Sequence, residues 1–157
     1  MATFTGVTTG NYTLTETTPP PGFIVNPTIY QVVVDENGVA FIDGVPVTPT
    51  GFVVTNLPIT GVLNIRLLDF VSEEPLSSGV FNLEGSGLSP QVTRAFGLAT
   101  FEPIPIGTYT LRQIAAPPFY LEDRTPRTVV VLDTGEVTVD GNLAPMEGFQ
   151  IFNVQRT

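Results

Sequence analysis

Displaced by 97 residues along itself, the chain lays its first 60 residues on its last 60 without a gap. "ATFTGVTTGNYTLTETTPPPGF" (Ala2 to Phe23) falls on "ATFEPIPIGTYTLRQIAAPPFY" (Ala99 to Tyr120), and "GFVVTN" (Gly51 to Asn56) falls on "GFQIFN" (Gly148 to Asn153). Twenty of the 59 positions from Ala2 to Thr60 are identical, and most are structural residue types: Gly, Phe, Tyr, a Val triplet, Asp-Gly turns and one Asn. Repetition at this length means two copies of one folding unit. The period sets the boundaries. Residues 59–157 make one complete unit. Residues 1–58 make the C-terminal part of a preceding one, without about 37 residues at its start.

Each unit reads as all-β. Apolar and polar residues alternate in "NYTLTE", "TYTLRQ", "VLNIRL", "GVFNLEG" and "EVTVDG", the period of a strand with one buried face. "VVVDENGVAFI" predicts a hairpin turning at Asn37-Gly38, and "VVVLDTGEVTV" repeats it at Thr134-Gly135. Pro19 to Pro21 and Pro117-Pro118 cannot sit in central strands, since proline has no amide to donate. No stretch has the spacing of an amphipathic helix. The expected architecture is a pair of tandem Greek-key, immunoglobulin-like or prealbumin-like β-sandwiches, the first incomplete at its N-terminal side.

What the chain lacks removes most chemistry. It has no His, Cys, Trp or Lys among its 157 residues. The usual zinc sites, Ser-His and Cys-His nucleophiles, Schiff bases and disulfides are therefore excluded. A net charge of −9 leaves no basic stripe for nucleic acid and no attraction to an anionic membrane. No cofactor, metal or catalytic residue is expected. The acidic turns "DENG" (Asp35 to Gly38) and "LEDR" (Leu121 to Arg124) could offer calcium carboxylate and backbone oxygens, but neither has the ligand spacing of a calcium loop. Tyr12, Tyr109, Phe52 and Phe149 are expected on inward faces. Tyr30, Phe119 and Tyr120 remain as aromatics that could stack on a sugar.

"PLSSGVFNLEG" (Pro75 to Gly85), "LATFEPIPIGTYTLRQIAAPPFY" (Leu98 to Tyr120) and "GFQIFNV" (Gly148 to Val154) resemble the Cna-B family, the SpaA-type prealbumin-like repeat domains of Gram-positive surface adhesins and pilins. The resemblance covers residues 61–157 and, through the repeat, most of 1–58. It implies an intramolecular isopeptide bond between a Lys on the first strand and an Asn on the last, assisted by a buried acid. Here the matching positions are Leu67, Gln113 and Asn153 in the complete unit, while Glu16 and Asn56 occupy the acid and Asn positions in the partial one. With no Lys anywhere, neither unit can make the bond. Losing the Lys and the acid together is physically coherent, because a lone buried charge is costly.

One further motif conflicts with this reading. Leu57-Pro58-Ile59-Thr60-Gly61 spells the LPxTG pattern recognised by sortases. No apolar segment and basic tail follow it; "VLNIRLLDF" reads as the next strand, so the motif is expected to be a seam between units.

The resemblance thus implies a non-enzymatic structural module of a bacterial cell-surface protein, a stalk or scaffold repeat of an adhesin or pilus. Its partners would be neighbouring repeats or identical chains. The alternative is a fibre subunit whose incomplete first sandwich is completed by strands of a neighbouring chain. A natural start at Met1 would favour that alternative and a fibre on a spore or cell surface. A third expectation is an adhesive module that binds a host or glycan ligand itself.

Overall fold

The computed structural model describes residues 1–157 and forms two compact units, Met1–Pro58 and Ile59–Thr157. The chain is nearly all strand and turn, with a single short 3-10 turn at Ala95–Gly97. No helix is long and apolar enough to cross a membrane.

In the first unit, β1 (Gly10–Leu14), β2 (Tyr30–Val34), β3 (Ala40–Ile42) and β4 (Val45–Pro46) form one antiparallel sheet in the order β1-β2-β3-β4. The β2–β3 hairpin turns where Asn37-Gly38 predicts it. The Asp35 carboxylate accepts the amides of Asn37 and Val39, and Gly38 takes φ +77°, a conformation open to glycine without steric cost. Val34 and Ile42 are buried on the inner face.

The second unit is a two-layer sandwich. Its strands are β5 (Thr60–Asp69), β6 (Val80–Glu84), β7 (Gln91–Val92), β8 (Leu98–Pro105), β9 (Gly107–Ala115), β10 (Tyr120–Leu121), β11 (Arg127–Val131), β12 (Val137–Val139), β13 (Asn142–Leu143) and β14 (Phe149–Gln155). One sheet runs β10-β14-β5-β8 and the other β13-β12-β11-β9-β6-β7. Strand β5 lies between β14, which it pairs in parallel, and β8, which it pairs antiparallel.

Alternation decides what goes inside. Leu63, Ile65 and Leu67 of β5, Phe101 and Ile104 of β8 and Ile151 of β14 meet Phe81, Leu83, Leu111, Val129, Val131, Val137 and Val139 from the facing sheet, all buried. Each such side chain stabilises the fold by about 1.5–3 kcal/mol relative to exposure.

The repeat read from the sequence returns as hydrogen-bond register. Gly10 pairs Val34 and Leu14 pairs Tyr30; 97 residues on, Gly107 pairs Val131 and Leu111 pairs Arg127. Val32 opposite Ile42 becomes Val129 opposite Val139. The Gly-x-Tyr segment has one physical cause in both units. The tyrosine ring folds back over the glycine, so that a Cβ on Gly107 would lie 3.1 Å from the Tyr109 hydroxyl oxygen, and one on Gly10 3.3 Å from that of Tyr12. The hydroxyls then donate to the carbonyls of Pro105 and Thr8, both at 2.8 Å.

Two expectations fail in the first unit. Residues 52–58, the counterpart of β14, form no strand beyond the isolated Phe23–Pro58 bridge, and residues 1–8, the counterpart of β8, form none either. Tyr12 and Phe52, expected inside, are exposed, with Phe52 at 42%. The cause lies in what faces them. In the second unit β5 supplies both the ladder for β8 and β14 and the apolar layer; the first unit holds no counterpart of β5.

Candidate functional site

The positions singled out in the complete unit converge. Strand β9 carries Gln113 inward and β14 carries Asn153 inward, and both are buried. Gln113 Nε2 donates to Asn153 Oδ1 and Asn153 Nδ2 donates to Gln113 Oε1, each at 2.8 Å. Gln113 Oε1 also accepts the Asp123 amide at 2.7 Å, and its Nε2 reaches the Ala115 carbonyl at 3.3 Å. The Gln113 amide is thus saturated inside the core, where an unpaired polar group is costly.

Leu67 is fully buried on β5. A Cβ on Gly79 would press on Leu67 Cδ2 and lie 3.5 Å from Gln113 Nε2, which places Leu67 and Gln113 beside the same glycine. The cluster consists of two amides and one aliphatic group. None is a nucleophile or a base at any ordinary pH, and the amide pair ties strand β9 to strand β14.

The partial unit repeats the arrangement with a carboxylate. Glu16 Oε2 accepts Asn56 Nδ2 at 2.6 Å and the Asn26 amide at 2.7 Å, the same two contacts that Gln113 makes with Asn153 and Asp123. Asn26 and Asp123 also match: each caps an amide two residues on, Thr28 at 2.9 Å and Thr125 at 3.0 Å. Glu16 and Asn56 are only half-buried, consistent with the open face above them.

Two carboxylates complete the electrostatics, Asp69, which the sequence reading did not single out, and Asp123 of the acidic turn Leu121 to Arg124. Asp69, at the end of β5, is held at a pKa of about 2 by the Ser72 amide, the Tyr120 hydroxyl and the Val71 amide. The Tyr120 hydroxyl donates at 2.8 Å, and its own pKa is raised by that bond, by burial and by the Asp69 charge. Asp69 accepts the amides two and three residues on, those of Val71 and Ser72, as an Asp that opens a turn does. Burial pushes Asp123 up, but the hydroxyl and amide of Thr125 and the Arg127 guanidinium outweigh it and hold its carboxyl below the usual range. Arg127 also lies over the Phe149 ring at 5.5 Å.

The remaining candidates have structural occupations. Asp35 spends one carboxylate oxygen on its own turn and Asp123 pairs with Arg127 at 2.9 Å, and no cluster of three acidic side chains forms. Tyr30 packs edge-on against Phe52 with ring centroids 4.9 Å apart, and Tyr120 is tied to Asp69. Phe119 is exposed with φ +71°. In the LPxTG stretch, Pro58 bridges Phe23, while Thr60 and Gly61 belong to β5 and pair with Pro105 and Ile104. A Cβ on Gly61 would lie 2.6 Å from Val137 Cγ2, so this glycine is a packing requirement of the core.

Against known proteins, no curated sequence matches the chain. Residues 1–45 and 61–143 match the SpaA prealbumin-like fold domain. The fold is similar to a C-terminal fragment of the pilus adhesin SpaC from Lactobacillus rhamnosus GG, at 17% identity and TM-score 0.52 over 96% of this chain and 76% of that one. It is also similar to the group B streptococcus pilus 2b backbone protein, at 16% identity and TM-score 0.51 over 91% of this chain and 53% of that one. The pilus adhesin RrgA from Streptococcus pneumoniae is 31% identical over 55% of this chain, with TM-score 0.49, and the match spans 11% of that adhesin. With well over half of its residues matched, the chain belongs to the family of SpaA prealbumin-like fold domains.

Proposed function

We propose that the chain is a non-enzymatic structural module of a bacterial cell-surface protein, a stalk or scaffold repeat of an adhesin or pilus that works without an isopeptide bond. The observation that supports this reading is the reciprocal amide pair of Gln113 and Asn153 in the core that also buries Leu67, at the positions where the family resemblance implies reactive groups. Residues 59–157 act as a complete sandwich and residues 1–58 as the C-terminal part of another. The Gly61 packing against Val131 and Val137 supports reading Leu57–Gly61 as a seam rather than an anchor signal. Family membership supports a place outside the cell, at its surface.

The test combines two measurements on the full chain. Intact mass should equal the mass of the sequence, with no loss of ammonia. Light scattering across a concentration series should give the mass of one chain throughout. Loss of ammonia would end the lock-free reading.

A second reading is favoured by the apolar side chains that the first unit leaves exposed, among them Phe4, Tyr12, Phe52 and Val54. Here the chain is a fibre subunit, and strands of a neighbouring chain complete the first sandwich. Species that grow with concentration would select it over the spacer.

A further inference from the structure

In the second unit the first and last strands are neighbours and run the same way. Strand β14 pairs β5 in parallel over five positions, from Phe149 opposite Ile65 to Asn153 opposite Asp69. The start of β5 and the end of β14 therefore lie at opposite ends of one ladder. Tension applied at those two points pulls the strands along their own axes in opposite senses. The ladder bonds of a parallel pair are evenly spaced along the strands, so they share such a load, whereas strands pulled from adjacent ends open one pair at a time.

Three features resist the slide. Leu63, Ile65 and Leu67 of β5 are each 0% exposed, packed on the facing sheet. A slip of one residue would turn them outward, so β5 can move only by two, about 6.6 Å, with all three side chains displaced at once. On its other edge β5 pairs β8, and a register shift between Gly61 and Leu63 pins the alignment. The third feature lies at the exit of β14. Tyr120 on β10 stands opposite Gln155 and Asp69 on β5 opposite Asn153, so the two residues flank β14. Directly opposed residues share a face, which puts both on the side of Asn153 and Gln155. Their 2.8 Å hydrogen bond thus crosses β14 and ties together the strands on either side of it. Just past the strand, the Arg156 amide donates to the Phe119 carbonyl at 2.7 Å.

We propose that the β5–β14 ladder is a load-bearing clamp, strained in shear when the second unit is pulled by its two ends, and that the Asp69–Tyr120 bond is a strap that keeps the end of β14 in it. The inference rests on the stalk reading above for the presence of tension, and deepens it by naming the strands and side chains that carry the load.

The chain has no Cys, so two introduced cysteines define where force acts. Leu57→Cys with Thr157→Cys, both at exposed positions, loads the ladder in shear. Leu57→Cys with Ile106→Cys instead peels β5 from β8, because Thr60 and Pro105 lie opposite each other. Single-molecule pulling of the full chain at one loading rate should give a rupture force at least about twofold higher through the first pair than through the second. The length gained through the first pair should be about 300 Å as the residues between the handles extend. Tyr120→Phe should lower the force in the first geometry by about a third or more and leave the second unchanged, since a general loss of stability would lower both. Equal forces in the two geometries would overturn the clamp, and a Tyr120→Phe effect that is the same in both would overturn the strap. A much shorter gain in length would mean that a covalent link bears the load and would overturn the clamp as well. Light scattering tests the stalk reading separately, so a chain that assembles would end that reading while the rupture forces still decide the clamp.

Discussion

Gln113 and Asn153, 40 residues apart on β9 and β14, exchange two hydrogen bonds of 2.8 Å with Asn153 only 1% exposed. The pair couples the two sheets of the sandwich, since β9 and β14 belong to different sheets. Its strength depends on every polar atom being used, which makes it sensitive to single changes.

Asn153→Val leaves two polar atoms of Gln113 short of a partner and should destabilise the second unit by about 1–3 kcal/mol. Gln113→Met should cost more, because the Asp123 amide loses its acceptor as well. Urea unfolding of the two variants checks the order; equal losses would mean that the Asp123 amide finds another acceptor.

The repeat offers a matched comparison. Phe101→Ala removes a fully buried ring and should cost about 3–5 kcal/mol, whereas Phe4→Ala at the equivalent exposed position should stay within about 0.5 kcal/mol. Thermal melts of both variants decide it. A large loss at Phe4 would show that residues 1–9 are packed in solution.

Gly61→Ala should destabilise by about 1–3 kcal/mol, because the new Cβ must displace the side chains of Val131 and Val137. A variant as stable as the parent would place Gly61 in a free linker, as an accessible sortase motif requires.

Asp69 sets a pH dependence with a defined sign. Its folded pKa of about 2 lies below the ordinary 3.8, so its contribution is fully present above about pH 4 and disappears as pH falls through about 2. Asp69→Asn removes that titration. The stability difference between parent and variant should therefore narrow steadily from pH 4 to pH 2 and stay constant from pH 5 to 7. A difference that does not change with pH would mean that Asp69 is not held by its turn amides and Tyr120.

Amide exchange should separate the two units. Val129 and Val131 are covered by β5 and by the facing sheet, while Val32 at the matching position is only half-buried. Exchange at Val32 and Val33 should be many-fold faster than at Val129 and Val130, since local opening there uncovers less apolar surface. Equal rates would show the first unit closed in solution.

Much of this protein is decided by local pattern. The 97-residue period, the strand alternation and the Asp-Gly and Asn-Gly turns determine two β units and carry the same hydrogen-bond register into both, because side-chain period and turn chemistry are properties of neighbours in the chain. The inward placement of Gln113 and Asn153 was also legible, through alternation. Other features were not. "GFVVTN" and "GFQIFN" have the same alternation, yet only the second is a strand, because only it has β5 beside it. Tyr12 and Phe52 carry the pattern of core residues and stand exposed for want of a facing layer. The Asp69–Tyr120 bond joins residues 51 positions apart, and nothing local to either names the other. A strand's pattern determines which side chains it can bury; whether they are buried, and against what, is settled only when the opposite sheet is in place.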